Sequence, residues 1–566
     1  MSLLIRARPR ADTAAFPDSL HPVLQRLYAA RGVQPEQLSL DLKQLLPPSG
    51  LQGIDTAAAV LLDAIVKGEG IVIAGDYDAD GATGTALGVL GLRALGAANV
   101  SYVVPDRFRM GYGLSPALAE LAAATGARVL VTVDNGIASL AGVRHAQALG
   151  MRVVVTDHHL AGPELPPAEA IVNPNQPGCG FASKALAGVG VMFYLLLAVR
   201  SMLRLAGAYR ERPEPNLSDW LDLVALGTVA DLARLDYNNR ILVENGLRRI
   251  RAGRTRPGLL ALLKLAGREP ARITSTDLGF ALGPRINAAG RLDDIRTGIE
   301  CLLTEDLAQA QELAAQLDRF NRERRELQTQ MSDEAELLCE DSEAVGICLF
   351  DDSWHEGIVG LVASRIKERR HRPAIAFARA QEEGLLKGSA RSIRGLHVRD
   401  VLAAIDAQRP GLIERFGGHA MAAGLSLRED RFEEFSSAFD TACGERLSPA
   451  DLQRALETDG ELSAGELQLD TARLLESAGP WGQDFPEPLF EGAFEVLDAR
   501  LIGADGRHAK YRLRGPDGGP PLTAVDFGGA ERLCPRGRLH AVFMLAVNRW
   551  QGNESLDLRI EHLQAL

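Results

Sequence analysis

Three short apolar runs, GIVIAG (70–75), RVLVTV (128–133) and MRVVVT (151–156), each stop at an aspartate: Asp76, Asp134 and Asp157. No other feature narrows the folding options of the chain so far. A continuous run of β-branched residues suits a strand covered on both faces, because alternation with polar residues would bury the polar ones. Helical stretches separate the runs, at TALGVLGLRALG (85–96), PALAELAAATG (116–126), 138–149 and 186–206, and SYVVP (101–105) and AIVNP (170–174) read as further strands. Strands alternating with helices predict an α/β fold with a mostly parallel sheet. Such sheets bind ligands at the carboxyl ends of their strands, which is where these aspartates fall.

The first strand end opens GDYDADGATG, with Asp76, Asp78 and Asp80 at alternate positions and Gly81 behind them. Carboxylates this close raise one another's pKa values unless a cation neutralises them. An EF-hand loop would need a glutamate about seven residues beyond its third ligand, and none is there. A solvated turn is the other alternative, but a strand–acid–glycine–helix junction is a poor place for idle acids. Asp134 follows in VTVDNG, Asp157, His158 and His159 in TDHH, and Asp231 in LDLVALGTVADL. Asp78, Asp80, Asp134 and His158 are thus expected at one sheet edge, joined by Asp231. Carboxylates and imidazoles without a thiolate suit Mn2+ or Mg2+, the imidazole tilting the choice towards Mn2+. Two such ions about 3.5–4 Å apart, bridged by one carboxylate, would serve phosphoryl hydrolysis.

Between Ile299 and Val345 there is neither Gly nor Pro, and Leu313, Leu317, Phe320 and Leu327 recur at helical spacing. A helix of ~36 residues would span ~54 Å, enough to hold two domains apart and leave a cleft; an ordinary helix broken midway is the alternative. A second α/β unit starts at VGICLF (345–350), and five β-like segments near the C-terminus predict a small barrel such as an OB-fold. Phe494, Tyr511, Phe527, Phe543 and Trp550 lie on those segments. At least half are expected in the barrel core and the others as stacking platforms for bases. The expected divisions are an N-terminal extension packed on the catalytic domain (1–50), the catalytic domain (51–300), a connecting helix (301–343), a smaller α/β domain (344–455) and the barrel with its linker (456–566).

Net charge is −12, which taken alone speaks against a nucleic-acid partner. By segment the picture changes. Residues 240–300 carry 12 basic and 6 acidic side chains and residues 354–399 carry 10 and 4, so each island is +6 and the remainder is −24. Such islands could steer a polyanion to one groove, although Arg-rich surface helices are common. Six scattered cysteines without a CxxC pair argue against a zinc knuckle, a redox motif or a disulfide framework, and fit a reducing cytoplasm. No charge-free run of ~18 apolar residues is present, so no membrane helix is expected, and the start lacks the roughly 7–15 apolar residues of a secretory signal. No GxGxxG follows the first strand, against a dinucleotide-binding enzyme.

GDYDADG, VTVDNG, TDHH and GTVADL resemble the four motifs of the DHH phosphoesterase superfamily. GPRINAAGR (283–291), WHEGIVGLVASRIKE (354–368), GSARS (388–392) and FGGHAMAAG (416–424) are similar to its DHH-associated region, most closely in the RecJ branch of single-strand-specific 5′→3′ DNA exonucleases. The resemblance implies a DHH domain, a long connecting helix, a DHHA1-type domain and an OB-fold, with single-stranded DNA threaded through the gap. It assigns metal ligation to Asp78, Asp80, Asp134, His158 and Asp231, helped by Asp76, with Asp157 orienting the histidines. His159 is expected to face the scissile phosphate. Arg107, Arg285, Ser389 and Arg391 are expected to hold the terminal 5′-phosphate, with Arg291 and His419 among the DNA-binding residues. A planar guanidinium suits a phosphate dianion independently of the resemblance.

The same resemblance implies release of 5′-mononucleotides in recombination and repair, a monomer, and single-strand-binding protein and a RecQ-type helicase as partners. One alternative is a nanoRNA or cyclic-dinucleotide phosphodiesterase of the same superfamily. Its relatives resemble shorter chains without a terminal barrel. The other is a non-catalytic single-strand-binding scaffold, against which every ligand position is filled.

Overall fold

The structure, a computed structural model, describes residues 3–107, 109–340, 342–515 and 518–566. Its first sheet has five parallel strands in the spatial order Val100–Val103, Ile71–Gly75, Val129–Val133, Arg152–Thr156, Ala170–Val172. Along Ile71–Gly75 the side chains divide between two cores. Ile71 and Ile73 face helices Ile54–Lys67, Ala79–Leu95 and Gly188–Leu205, while Val72 and Ala74 face Pro116–Ala124 and Leu140–Ala148. This two-sided burial explains the unbroken apolar runs. The chain leaves Ile71–Gly75 towards one sheet edge and returns to place Val129–Val133 on its other side. That reversal opens a crevice between their carboxyl ends, where doubly wound folds bind ligands.

Helix Gly188–Leu205 is by length and composition apolar enough to cross a membrane. It carries Arg200 and Arg204, and most of it is buried within the protein against Ala79–Leu95 and Ile54–Lys67. It is a core helix here.

The connecting helix runs unbroken from Leu307 to Leu338, 32 residues capped by Asp306, whose carboxylate accepts from the amides of Ala308 and Gln309. At 1.5 Å per residue it is about 48 Å long. Its first half buries Ala310, Ala314 and Leu317 in the core of the first α/β unit, and its second half buries Met331 and Ala335 against helix Val359–Arg370 of the next unit. One rigid element therefore sets the spacing of both.

The second sheet has the order Arg415–Gly418, Ala422–Arg428, Leu385–Arg391, Ala374–Arg379, Ile347–Phe350 and is antiparallel except for its last pair. The C-terminal strands Phe490–Ile502, His508–Gly515, Gly518–Asp526, Asn553–Ala565 and Gly537–Trp550 close into a barrel in that order. Phe494, Tyr511 and Phe543 fill it, whereas Phe527 and Trp550 are 58% and 70% exposed. The N-terminal strand Leu4–Ala7 pairs in parallel with Ala455–Thr458, and Arg31 makes two hydrogen bonds of 2.8 and 2.9 Å to Asp459. The first fifty residues also touch the catalytic unit, where Leu46 donates to Asn238 and Asn245 donates to the Leu40 carbonyl.

Candidate metal centre and phosphate pocket

The crevice gathers the acids from separate elements. Asp78 caps helix Ala79–Leu95, its Oδ1 accepting from the Gly81 amide at 2.9 Å. Asp80, in the first turn, accepts 2.6 and 2.9 Å hydrogen bonds from the amides of Gly188 and Val189, N–H groups that open another helix and have no partner within it. Asp134 ends its strand with φ +64°, a strained conformation for a residue with a Cβ. A Cβ on Gly188 would lie 2.5 Å from that of Asp134, so glycine there is what admits the bend. Asp231 ends helix Leu221–Ala230.

His158 Nε2 lies 2.9 Å from Asp134 Oδ1, 3.8 Å from Asp231 and 3.9 Å from Asp80. Three ligand sets converge within 4.8 Å: Asp76, Asp78 and Asp134; Asp80, His158 and Asp231; Asp134, His158 and His159. Asp76 Oδ1, Asp134 Oδ1 and His158 Nε2 are buried without a hydrogen-bond partner. Orphaned atoms of this kind are costly unless a cation occupies the space they face. Burial and neighbouring carboxylates raise Asp76, Asp134 and Asp231 well above the ordinary range and push Asp80 up to about 7. His158 is pushed down to about 3 by burial and by His159, which keeps its ring neutral and its lone pair available. The donor set fits Mn2+ or Mg2+.

Asp157 holds the pair of histidines. It is buried, and its Oδ1 accepts from the amides of His158 and His159 and stands 2.8 Å from His159 Nδ1, while Oδ2 accepts from the Ile137 amide. Burial works against the charge on His159, but the contact to Asp157 together with the charges of Asp157, Asp76 and Asp78 outweighs it and raises the imidazole's pKa. From the second domain, His419 on the Arg415–Arg428 hairpin stacks on His159, centroids 6.0 Å apart.

Next to the acids lies a cationic pocket. Arg107 covers the ring of Tyr77 at 4.7 Å. Arg291 is pushed down to about 9 by burial and by the neighbouring charges of Arg107, Arg391 and Arg324. Arg391 is 3.1 Å from Ser389 Oγ, and a Cβ on Gly360 would crowd both. Arg285 is engaged differently: it pairs with Asp318 of the connecting helix at 2.9 Å.

Residues that the sequence reading passes over include Tyr112, whose hydroxyl donates to the Asp134 carbonyl at 2.9 Å and contacts His159 Nδ1 at 2.9 Å. Its signal is its place in RFRMGYG beside Arg107. Asn287 accepts from the Ala79 amide at 2.7 Å and fixes the start of the acid-bearing helix. Arg324 joins the cationic pocket from the connecting helix, where in sequence it looks like any other surface arginine.

Comparison with known proteins agrees with this architecture. Residues 70–228 match the DHH family N-terminal domain, 343–445 the DHHA1 domain and 458–562 the RecJ OB domain. The chain is 51% identical to the single-stranded-DNA-specific exonuclease RecJ of Salmonella typhimurium, covering 99% of each. It is 50% identical to that of Escherichia coli, covering 99% of this chain and 98% of the relative. The chain belongs to the RecJ family. A RecJ from Thermus thermophilus solved in complex with Mn2+ superposes with a TM-score of 0.84 at 32% identity, over 100% of this chain and 80% of that one. The Mg2+ complex of RecJ from the same organism gives 0.77 at 30% identity, over 100% and 79%. Those RecJ structures hold the two metals that the donor chemistry selects here.

Proposed function

We propose that the chain is a single-stranded-DNA-specific 5′→3′ exonuclease that hydrolyses phosphodiester bonds with two divalent ions, Mn2+ or Mg2+, and releases 5′-mononucleotides. The observation that carries this reading is the convergence of orphaned Asp76, Asp134 and His158 atoms beside a cluster of half-buried arginines. Asp76, Asp78, Asp80, Asp134, His158 and Asp231 would hold the ions. When bound, the ions supply Lewis-acid neutralisation of a phosphoryl group and activation of water.

The protein's own groups set the rest. Arg107, Arg291 and Arg391 with Ser389 bind the terminal 5′-phosphate, since guanidinium N–H groups match phosphate oxygens in pairs. His159, its pKa raised beside Asp157, donates a hydrogen bond or proton to the scissile phosphate. His419 closes the site from the second domain. Arg285, through Asp318, acts by fixing the connecting helix that carries Arg324. The exposed Phe527 and Trp550 offer ring faces to bases of the trailing strand.

Recombination and repair, a cytoplasmic monomer, and co-operation with single-strand-binding protein and a RecQ-type helicase complete the proposal on family likeness. Digestion of single strands labelled at one end or the other, with Mn2+ or chelator, tests it. Early release of the 5′ label that depends on metal supports the reading, and early release of the 3′ label overturns its polarity.

A further inference from the structure

A second cationic cavity, of about 390 Å³, lies where the N-terminal segment, the catalytic unit and the approach to the barrel meet. Arg240 lines it, is only 3% exposed, and stacks on Phe485 at 4.1 Å. Its Nε has no hydrogen-bond acceptor, and no carboxylate among the described residues pairs with it. Glu244, four residues on, is taken by Arg248 at 2.8 Å and Arg251 at 3.5 Å, and Asp236, four residues before and on the cavity wall, accepts from the Ser183 hydroxyl at 2.6 Å and the Asn239 amide at 2.9 Å. Lys184, on the same wall, is held through two carbonyls, those of Pro174 and Cys179, which leave its charge unneutralised. Arg234 approaches Asp484 only to 3.9 Å, with both exposed. A buried cation without a counter-charge is costly, and burial holds Arg240 below the ordinary arginine range.

We propose that this cavity is a phosphate-binding site, separate from the pocket at the metal centre, in which Arg240, Lys184 and Arg234 receive a phosphate group. A guanidinium backed by an aromatic ring presents its remaining N–H groups in the fork that phosphate oxygens fit. The volume admits a mononucleotide, and Phe485 and Tyr237 supply ring surface beside the charge. The phosphate could belong to a free monoester or to the backbone of a bound strand. The same peptide that forms the wall ties the barrel approach to the catalytic unit, because the Leu235 amide donates to the Gln483 carbonyl at 2.8 Å.

Isothermal titration of the full-length, Mg2+-loaded protein decides it, with inorganic phosphate, 2′-deoxyadenosine 5′-monophosphate and 5′-hydroxyl single-stranded DNA as probes. All proteins carry Arg391→Ala and Asp134→Ala as a common background, so the DNA probe is not digested and differences report on this cavity. Arg240→Gln and the pair Lys184→Gln with Arg234→Gln are each compared with that background. Binding of inorganic phosphate and the mononucleotide at least tenfold weaker supports a monoester site. A loss confined to DNA supports the site and assigns it to a backbone phosphodiester. Unchanged affinity and stoichiometry for every probe in the Lys184/Arg234 pair overturns the proposal, and that pair is exposed enough to fold if Arg240→Gln does not. The readout needs no hydrolysis, so its failure leaves the exonuclease reading untouched.

Discussion

His158 Nε2 and Asp134 Oδ1 stand 2.9 Å apart, both buried, and neither has a hydrogen-bond partner. Two lone pairs at that distance repel unless they share a proton or a cation bound beside them. Asp134→Ala is therefore expected to abolish cleavage, by roughly a thousandfold or more, while leaving single-strand binding within a few-fold, since the arginines hold the strand. Single-turnover digestion alongside a binding titration checks both; appreciable turnover would refute the shared-metal assignment.

The acids also set a pH dependence in the metal-free protein. Burial and neighbouring carboxylates push Asp80 up to about 7 and raise Asp76, Asp134 and Asp231 as well, so the folded state binds protons that the unfolded state releases above about pH 4. Stability from these groups is lost as pH rises through their folded pKa values. His158, pushed down to about 3, opposes the trend, but only below its unfolded value of about 6.5. Thermal melts in chelator are expected to fall in Tm from pH 6.5 to 8, and Mn2+ to raise Tm more at pH 8 than at pH 6.5. A chelated Tm that climbs across that window contradicts the arrangement.

Arg391→Ala is expected to hit 5′-phosphorylated strands hardest. Hydrogen bonds to a charged group are worth about 1.5–3 kcal/mol, or roughly ten- to a hundredfold in kcat/KM. Equal losses on 5′-hydroxyl strands would remove the phosphate from this pocket.

Gly188→Ala places a methyl group 2.5 Å from Asp134 Cβ, and the strained strand end has no room to retreat. Mn2+ affinity measured by calorimetry is expected to drop more than tenfold, with Gly465→Ala, whose added carbon meets nothing within 4 Å, as the silent control.

Barrel aromatics divide by exposure. Phe543→Ala is expected to cost about 3–5 kcal/mol of stability as a core truncation. Trp550→Ala is expected to leave Tm within a degree or two and to weaken binding of long strands more than cleavage of short oligomers. Denaturant melts and strand-length titrations separate the two effects.

The acidic cluster was legible before any fold was known. In a parallel sheet every strand ends on the same edge, so an aspartate after each apolar run must converge with the others. Asp76, Asp134 and Asp157 follow that rule; the long helix follows only in part, because the stretch from Ile299 to Val345 lacks Gly and Pro, yet the chain leaves one helix at Leu303 and restarts at Leu307 behind the Asp306 cap. Five short β-rich segments likewise announce a barrel, yet not which of its aromatics face inwards, since that depends on register and closure.

What sequence alone determined is thus the ordering of elements and the chemistry delivered to their ends, both consequences of local patterning. Tertiary structure decided which arginines share a pocket: Arg291 gathers with Arg107, Arg391 and Arg324, while Arg285 is claimed by Asp318. It also decided that Tyr112 reaches His159 and that Arg240 is buried without an acid. A long side chain finds its partner across domain boundaries, and that distance is fixed only when the connecting helix has docked both units.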